Sequence, residues 1–176
     1  MTDSIIMITG TVCVLLLMAA AFLFIYFRSL RNDLQAQWRI VLDNLRLRLD
    51  KIPNLIENVR RFAPSATNAA TELIKLRSAC WPLFNPDKEK VFKELAVSLK
   101  LKEIWALENK YPALSHDTNY LALKMEFRDV NGEIEKSLEE YNNRLRKYNS
   151  KVRFFLFLPF ALIFGFTKLP IFEFEP

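Results

Sequence analysis

Three glycines, Gly10, Gly132 and Gly165, leave this chain little material for tight turns and disfavour a multi-stranded β fold. The two cysteines, Cys13 and Cys80, are too few for a disulfide framework. One lies in an apolar run and the other in a predicted helix, so both read as reduced packing residues. With His116 as the single histidine, neither a Cys/His zinc site nor the paired Glu-x-x-His motif of a di-metal bundle can be assembled. His116 itself reads as a loop or capping residue. The glycines are too far apart to cradle a phosphate, and serines such as Ser78 and Ser137 have no base in a recognisable arrangement. Glu133, Glu135, Glu139 and Glu140 fall off the apolar stripe of their helix and read as a solvated face. No catalytic residue, metal or cofactor is expected, and the sequence displays no buried polar cluster that would favour an enzyme.

What the chain does have is one long apolar run. Ile5 to Phe27 gives 23 residues without a charge, more than the roughly 20 needed to cross a hydrocarbon core. A cleaved signal peptide would carry a positive amino terminus, but the only charge before the run is Asp3. The run therefore reads as an uncleaved anchor, with Tyr26 at the interface and Arg28 and Arg31 following. Every lysine and arginine lies after it. By the positive-inside rule, the amino terminus should be outside and the body cytoplasmic.

The remaining length suits one helical domain. Leu34, Trp38, Val41, Leu45, Leu49, Ile52, Ile56, Val59 and Phe62 recur in steps of three and four, the period of one buried helical face. Pro53 interrupts that face; it should bend the helix and free the Leu49 carbonyl, which Asn54, a neighbouring side chain or solvent would satisfy. A second helix is predicted from a Ser65 cap through Ala66, Ala69, Ala70, Leu73, Leu76 and Cys80, ending at Pro82. A third starts at Asn85-Pro86-Asp87, with Asn85 as cap and Pro86 at the first helical position, and runs to about Asn109 with Phe92, Leu95, Leu99 and Trp105 among its apolar positions. The fourth, capped by Ser115 or Asp117, carries Leu123, Phe127, Val130, Ile134, Leu138, Tyr141, Leu145, Tyr148 and Val152 on one stripe.

The first and last of these helices are both about 35 residues, roughly 50 Å at 1.5 Å per residue. An up-and-down order would return the last helix to the bilayer, and its end is suitably basic. Tyr141 to Arg153 holds Arg144, Arg146, Lys147, Lys151 and Arg153 and no acid. With Arg28 and Arg31 they are expected to contact lipid headgroups, each worth about 1 kcal/mol near an anionic surface. The stretch lacks the motifs of a nucleic-acid reader, and no nucleic acid is expected. Phe154 to Phe166 follows, thirteen residues interrupted by Pro159, too short to span as a helix. It reads as interfacial or partly inserted; a second span extended to Phe172 and burial against the bundle are the alternatives.

The stretch "LRLRLDKIPNLIENVRRFA", with Trp38 fifteen residues before Pro53, resembles the LemA family, whose members typically show a tryptophan followed by "DLIPNLV". "KYPALSHDTNYLALKMEFRDVNGEI" and "YNNRLRKYNSKVR" resemble its other two blocks, including Tyr141-Asn142 and Tyr148-Asn149. Gly165-Phe166 and Pro170-Ile171-Phe172-Glu173 are similar to its tail. Two features depart from the pattern: Leu47-Arg48 stands where a basic pair is usual, and "FFLFLPFALIFGF" replaces a polar turn. The resemblance implies a single-pass anchored helical bundle of a bacterial cytoplasmic (inner) membrane, with no established enzymatic activity; some relatives are associated with magnetosome membranes.

The expected fold is all-α: a transmembrane helix continuing into an antiparallel up-down four-helix bundle with long first and last helices. Its parts would be an anchor at 1–27, a cytoplasmic bundle at 28–153 and an apolar membrane-contacting tail at 154–176. The expected role is a scaffold or organiser that acts by binding, with direct remodelling of lipid as the alternative. Its partners would be the lipid bilayer, an unidentified protein gripping a notch at Pro53 and Asn54, and a second copy. No small-molecule substrate is expected.

Overall fold

The computed structural model describes residues 2–64, 67–154, 158–172 and 176, with the backbone alone at 2, 5 and 158. Among the described residues every regular element is helical. The order is α1 (Thr2–Phe62), α2 (Thr67–Cys80), α3 (Lys88–Trp105), a 3-10 turn (Ala106–Asn109), α4 (Pro112–His116), α5 (Thr118–Arg153) and α6 (Leu158–Ile163).

Local chemistry explains the helix starts. Asp87, in an extended conformation, accepts the Lys90 N–H at 2.9 Å and caps α3. The cap is therefore two residues later than Asn85, and Pro86 precedes the helix instead of opening it. Asp117 caps α5 in the same way, accepting the Tyr120 N–H at 2.8 Å. Ser115, the other candidate, donates instead to the Pro112 carbonyl within α4, a single turn opened by that proline. The Ser65 cap predicted for α2 lies outside the described residues.

The chain divides into two compact units, and α1 and α5 contribute to both. One unit comprises residues 1–36 and 143–169; the other comprises 37–142 and 170–176.

The larger unit has a continuous apolar core. Leu49, Ile52, Leu55, Ile56 and Val59 of α1 meet Ala70, Leu73 and Cys80 of α2, Val97, Leu101 and Ile104 of α3, Leu114 of α4, and Tyr120 and Phe127 of α5. Burying each large apolar side chain stabilises the fold by about 1.5–3 kcal/mol. Trp105 closes the cluster edge-on against Tyr120 and Phe127, with ring centroids 5.6 and 5.4 Å away. Polar pairs line up beside it. Lys51 reaches Glu126, Asn44 reaches Ser137 and the Glu133 carbonyl, and Gln37 reaches Glu140. Numbers rise along α1 as they fall along α5.

The predicted stripes of α1 and α5 are buried, apart from a half-buried Phe62. Of the apolar positions named on α3, Trp105 packs half-buried against the core, but Phe92, Leu95 and Leu99 are exposed, and the buried positions are Lys90, Glu94, Val97, Ser98, Leu101 and Ile104. Both sets carry helical spacing. The polar set wins because its charged members find partners inside.

Candidate functional site

The proline of α1 is the first place where sequence chemistry demands a partner. Pro53 has no N–H, so the Leu49 carbonyl loses its usual intrahelical donor. Arg77 of α2 supplies one, its Nε donating to that carbonyl at 2.9 Å. The same guanidinium lies 3.5 Å from the Asp50 carboxylate and 5.3 Å from the Trp81 ring centroid. The Asn54 carbonyl accepts from Asn58 one turn on, and Pro53 and Asn54 are both exposed. Arg77 went unnoticed in the sequence because its target is 28 residues away.

Beside this lies a buried ionic cluster that the sequence reading missed. Arg48 of α1 donates to Glu94 Oε2 at 2.7 Å and to Ser98 Oγ at 3.0 Å, both on α3. Lys90 Nζ sits 2.8 Å from Glu94 Oε1 and donates to the Cys80 carbonyl at the end of α2, 3.2 Å away. The side chains of Arg48, Lys90 and Glu94 are at most 1% exposed. Two cations thus lie against the two oxygens of one carboxylate, and the ammonium joins the Leu83 N–H on the carbonyl that ends α2. Burial and the nearby Glu94 charge push the Cys80 thiol up to about 12, so it is an inert packing group. A signal was present: Arg48 is three residues past Leu45 and four before Ile52, on the buried face of α1.

Each unit also holds an asparagine clamp on the carboxyl-terminal chain. In the larger unit Asn142 donates to the Phe172 carbonyl at 2.7 Å and accepts the Phe172 N–H at 3.2 Å. Phe172 is buried with its ring 4.8 Å from Trp38, and Trp38 Nε1 donates to the Phe84 carbonyl at 2.6 Å. In the smaller unit Asn149 makes the matching pair with Leu169, at 2.8 and 2.9 Å. The Tyr-Asn repeat is thus a structural device, since one side-chain amide satisfies both backbone groups of one residue in the carboxyl-terminal chain.

The smaller unit gathers the residues assigned to lipid. α1 is long and apolar enough to cross a membrane, and none of its apolar window is buried. Arg28, Arg31, Arg144, Arg146, Lys147, Lys151 and Arg153 are all exposed and all belong to this unit. Arg144 is paired with Asp33, Arg146 donates to Asn143 at 2.9 Å, and Lys151 lies 5.5 Å from the Tyr26 ring centroid. α6, six residues long, is too short to span, and no helix continues it toward Phe172 among the described residues. It packs on α1 instead. Phe27 is fully buried, with ring centroids of Phe160 and Phe166 6.2 and 5.2 Å away; Phe24 lies 5.5 Å from Phe164. Gly165, at φ +71°, makes the return possible, and the Phe166 N–H closes on the Ala161 carbonyl at 2.8 Å. Leu162 and Ile163 point outward, 68% and 78% exposed.

Among the described residues no group of three or more His, Cys, Asp or Glu side chains gathers as a metal site. An open groove of about 690 Å³ follows α5 from Leu121 to Glu135, bordered by Trp105. Its Lys124 is already committed to Glu108 at 2.7 Å.

These elements define an all-helical protein whose long apolar amino-terminal helix suits membrane association. The sequence model of a family described as the LemA family matches residues 37–176, and the chain belongs to that family. No curated protein matches it.

Proposed function

We propose that the chain is a membrane-anchored scaffold that acts by binding and carries out no reaction. The first part of α1 spans a bacterial inner membrane with the amino terminus outside, and an antiparallel up-down bundle stands on the cytoplasmic face. The observation that carries this reading is the grouping of all seven candidate headgroup cations, every one exposed, in the unit that contains the apolar window of α1. Membership in the LemA family is consistent with it. The buried ionic cluster is the kind of feature that would favour an enzyme, but its charged groups pair with one another and are at most 1% exposed, out of reach of a substrate. Pro53, Asn54 and the groove along α5 offer surfaces to a protein partner or a second copy.

Direct remodelling of lipid is the second reading, favoured by the outward apolar face of α6. Reconstitution into anionic vesicles separates the two. A scaffold should leave vesicle shape unaltered, and the headgroup contacts of its cations, but not the anchoring itself, should weaken with salt and with neutralisation of Arg144, Arg146, Lys147 and Lys151. Tubulation or fission under the electron microscope would replace the scaffold reading. Proximity labelling in the native cell would identify the partner.

A further inference from the structure

We infer that α6 is a wedge seated on the anchor, inserting Leu162 and Ile163 among the acyl chains of the leaflet that adjoins the folded domain. The inference rests on the proposed membrane anchor and adds a second, one-sided contact with lipid. The seat fixes its depth. Phe24 and Phe27 form the last turn of the uncharged run, and Arg28 follows directly. α6 meets that turn through Phe160, Phe164 and Phe166, so it lies alongside the boundary between hydrocarbon and headgroups. Lys151 over Tyr26 marks the same level from α5, with a cation where headgroups would be. Seating rings cover the inner face, and Ala161 is fully buried.

Among the described residues the outer face has no such cover. Leu162 and Ile163 are among the most exposed apolar side chains outside the window of α1. That face continues the bare apolar surface of α1, and exposed cations stand nearby in sequence at Lys151 and Arg153. An apolar face beside a basic one fits the boundary of an anionic leaflet, where such segments sit about 5–10 Å deep. Each Å² of apolar surface leaving water gains about 25 cal/mol. The occupant is lipid.

Nitroxide labels on the full chain, reconstituted in vesicles of phosphatidylethanolamine and phosphatidylglycerol, test this. The background is Cys13→Ser, since Cys80 is buried and its raised thiol pKa keeps it unlabelled. Labels at Leu162→Cys and Ile163→Cys should show collision with oxygen over a water-soluble nickel complex several-fold above that at Asn54→Cys, and close to that at Ile25→Cys. Water-like ratios at 162 and 163 with a lipid-like Ile25 would overturn the wedge and leave the anchor standing. A water-like Ile25 would sink the anchor and the wedge together. Spin–spin broadening at 162 that vanishes on dilution with unlabelled protein would mean a second copy covers the face, which also overturns the wedge. Phe27→Ala should move both labels several-fold toward water while Ile25 holds; no movement would overturn α1 as the seat.

Discussion

Arg48, Lys90 and Glu94 show how a charged group becomes a core residue. Each is costly to take from water alone, but Glu94 is gripped on both oxygens, so the cluster is tolerable while intact. Breaking it is a different matter. Glu94→Ala should destabilise by about 3–5 kcal/mol, because two buried cations lose their shared partner. Replacing Arg48, Lys90 and Glu94 together by Met or Leu should recover most of that loss in urea unfolding of the detergent-solubilised protein. Arg77 offers a second residue-scale prediction. Arg77→Ala should cost about 1–3 kcal/mol by leaving the Leu49 carbonyl without its charged donor. In a Pro53→Ala background residue 53 regains an N–H for that carbonyl, so the same change should cost less. A double-mutant cycle showing additive effects would refute the pairing.

Elements differ in how far their sequence announces the buried face. On α5 all nine predicted stripe positions are buried, from Leu123 to Val152. Leu145→Ala should therefore cost about 2–5 kcal/mol, whereas the exposed Glu139→Ala should stay within about 0.5 kcal/mol. On α3 the apolar set points out, so Leu99→Ala should behave like Glu139→Ala and not like Ile104→Ala. Thermal melts of the four variants check all of this at once. The Tyr-Asn repeat is also an element-scale device. Asn142 and Asn149 each hold one residue of the carboxyl-terminal chain by both its backbone groups.

At the scale of the whole molecule, the carboxyl end belongs partly to the smaller unit and partly to the larger one. Phe172 is seated against Trp38 and held by Asn142, so a fusion at Arg153 would remove part of the larger unit's packing. A topology reporter should follow Pro176 instead. Because every lysine and arginine lies after the apolar run, alkaline phosphatase there should be inactive and a fluorescent protein should glow. Active phosphatase would reverse the proposed orientation.

Period and charge alone determined the helical class, the long first and last helices, the uncharged run and the two strongest stripes. These are local properties: a step of three or four residues marks a face wherever the rest of the chain goes. The demand created at Pro53 was equally legible, because a missing N–H is written in one letter. Tertiary structure decided who answers each demand. Arg77 reaches Leu49 from another helix, and Glu94 and Ser98 are buried with Arg48 as their partner from α1, Lys90 with Glu94 and the Cys80 carbonyl. The tail was ambiguous for the same reason. Phe27, Phe160 and Phe166 are ordinary apolar residues in sequence, and only the turn at Gly165 and the rings that meet across it show one face packed and the other bare.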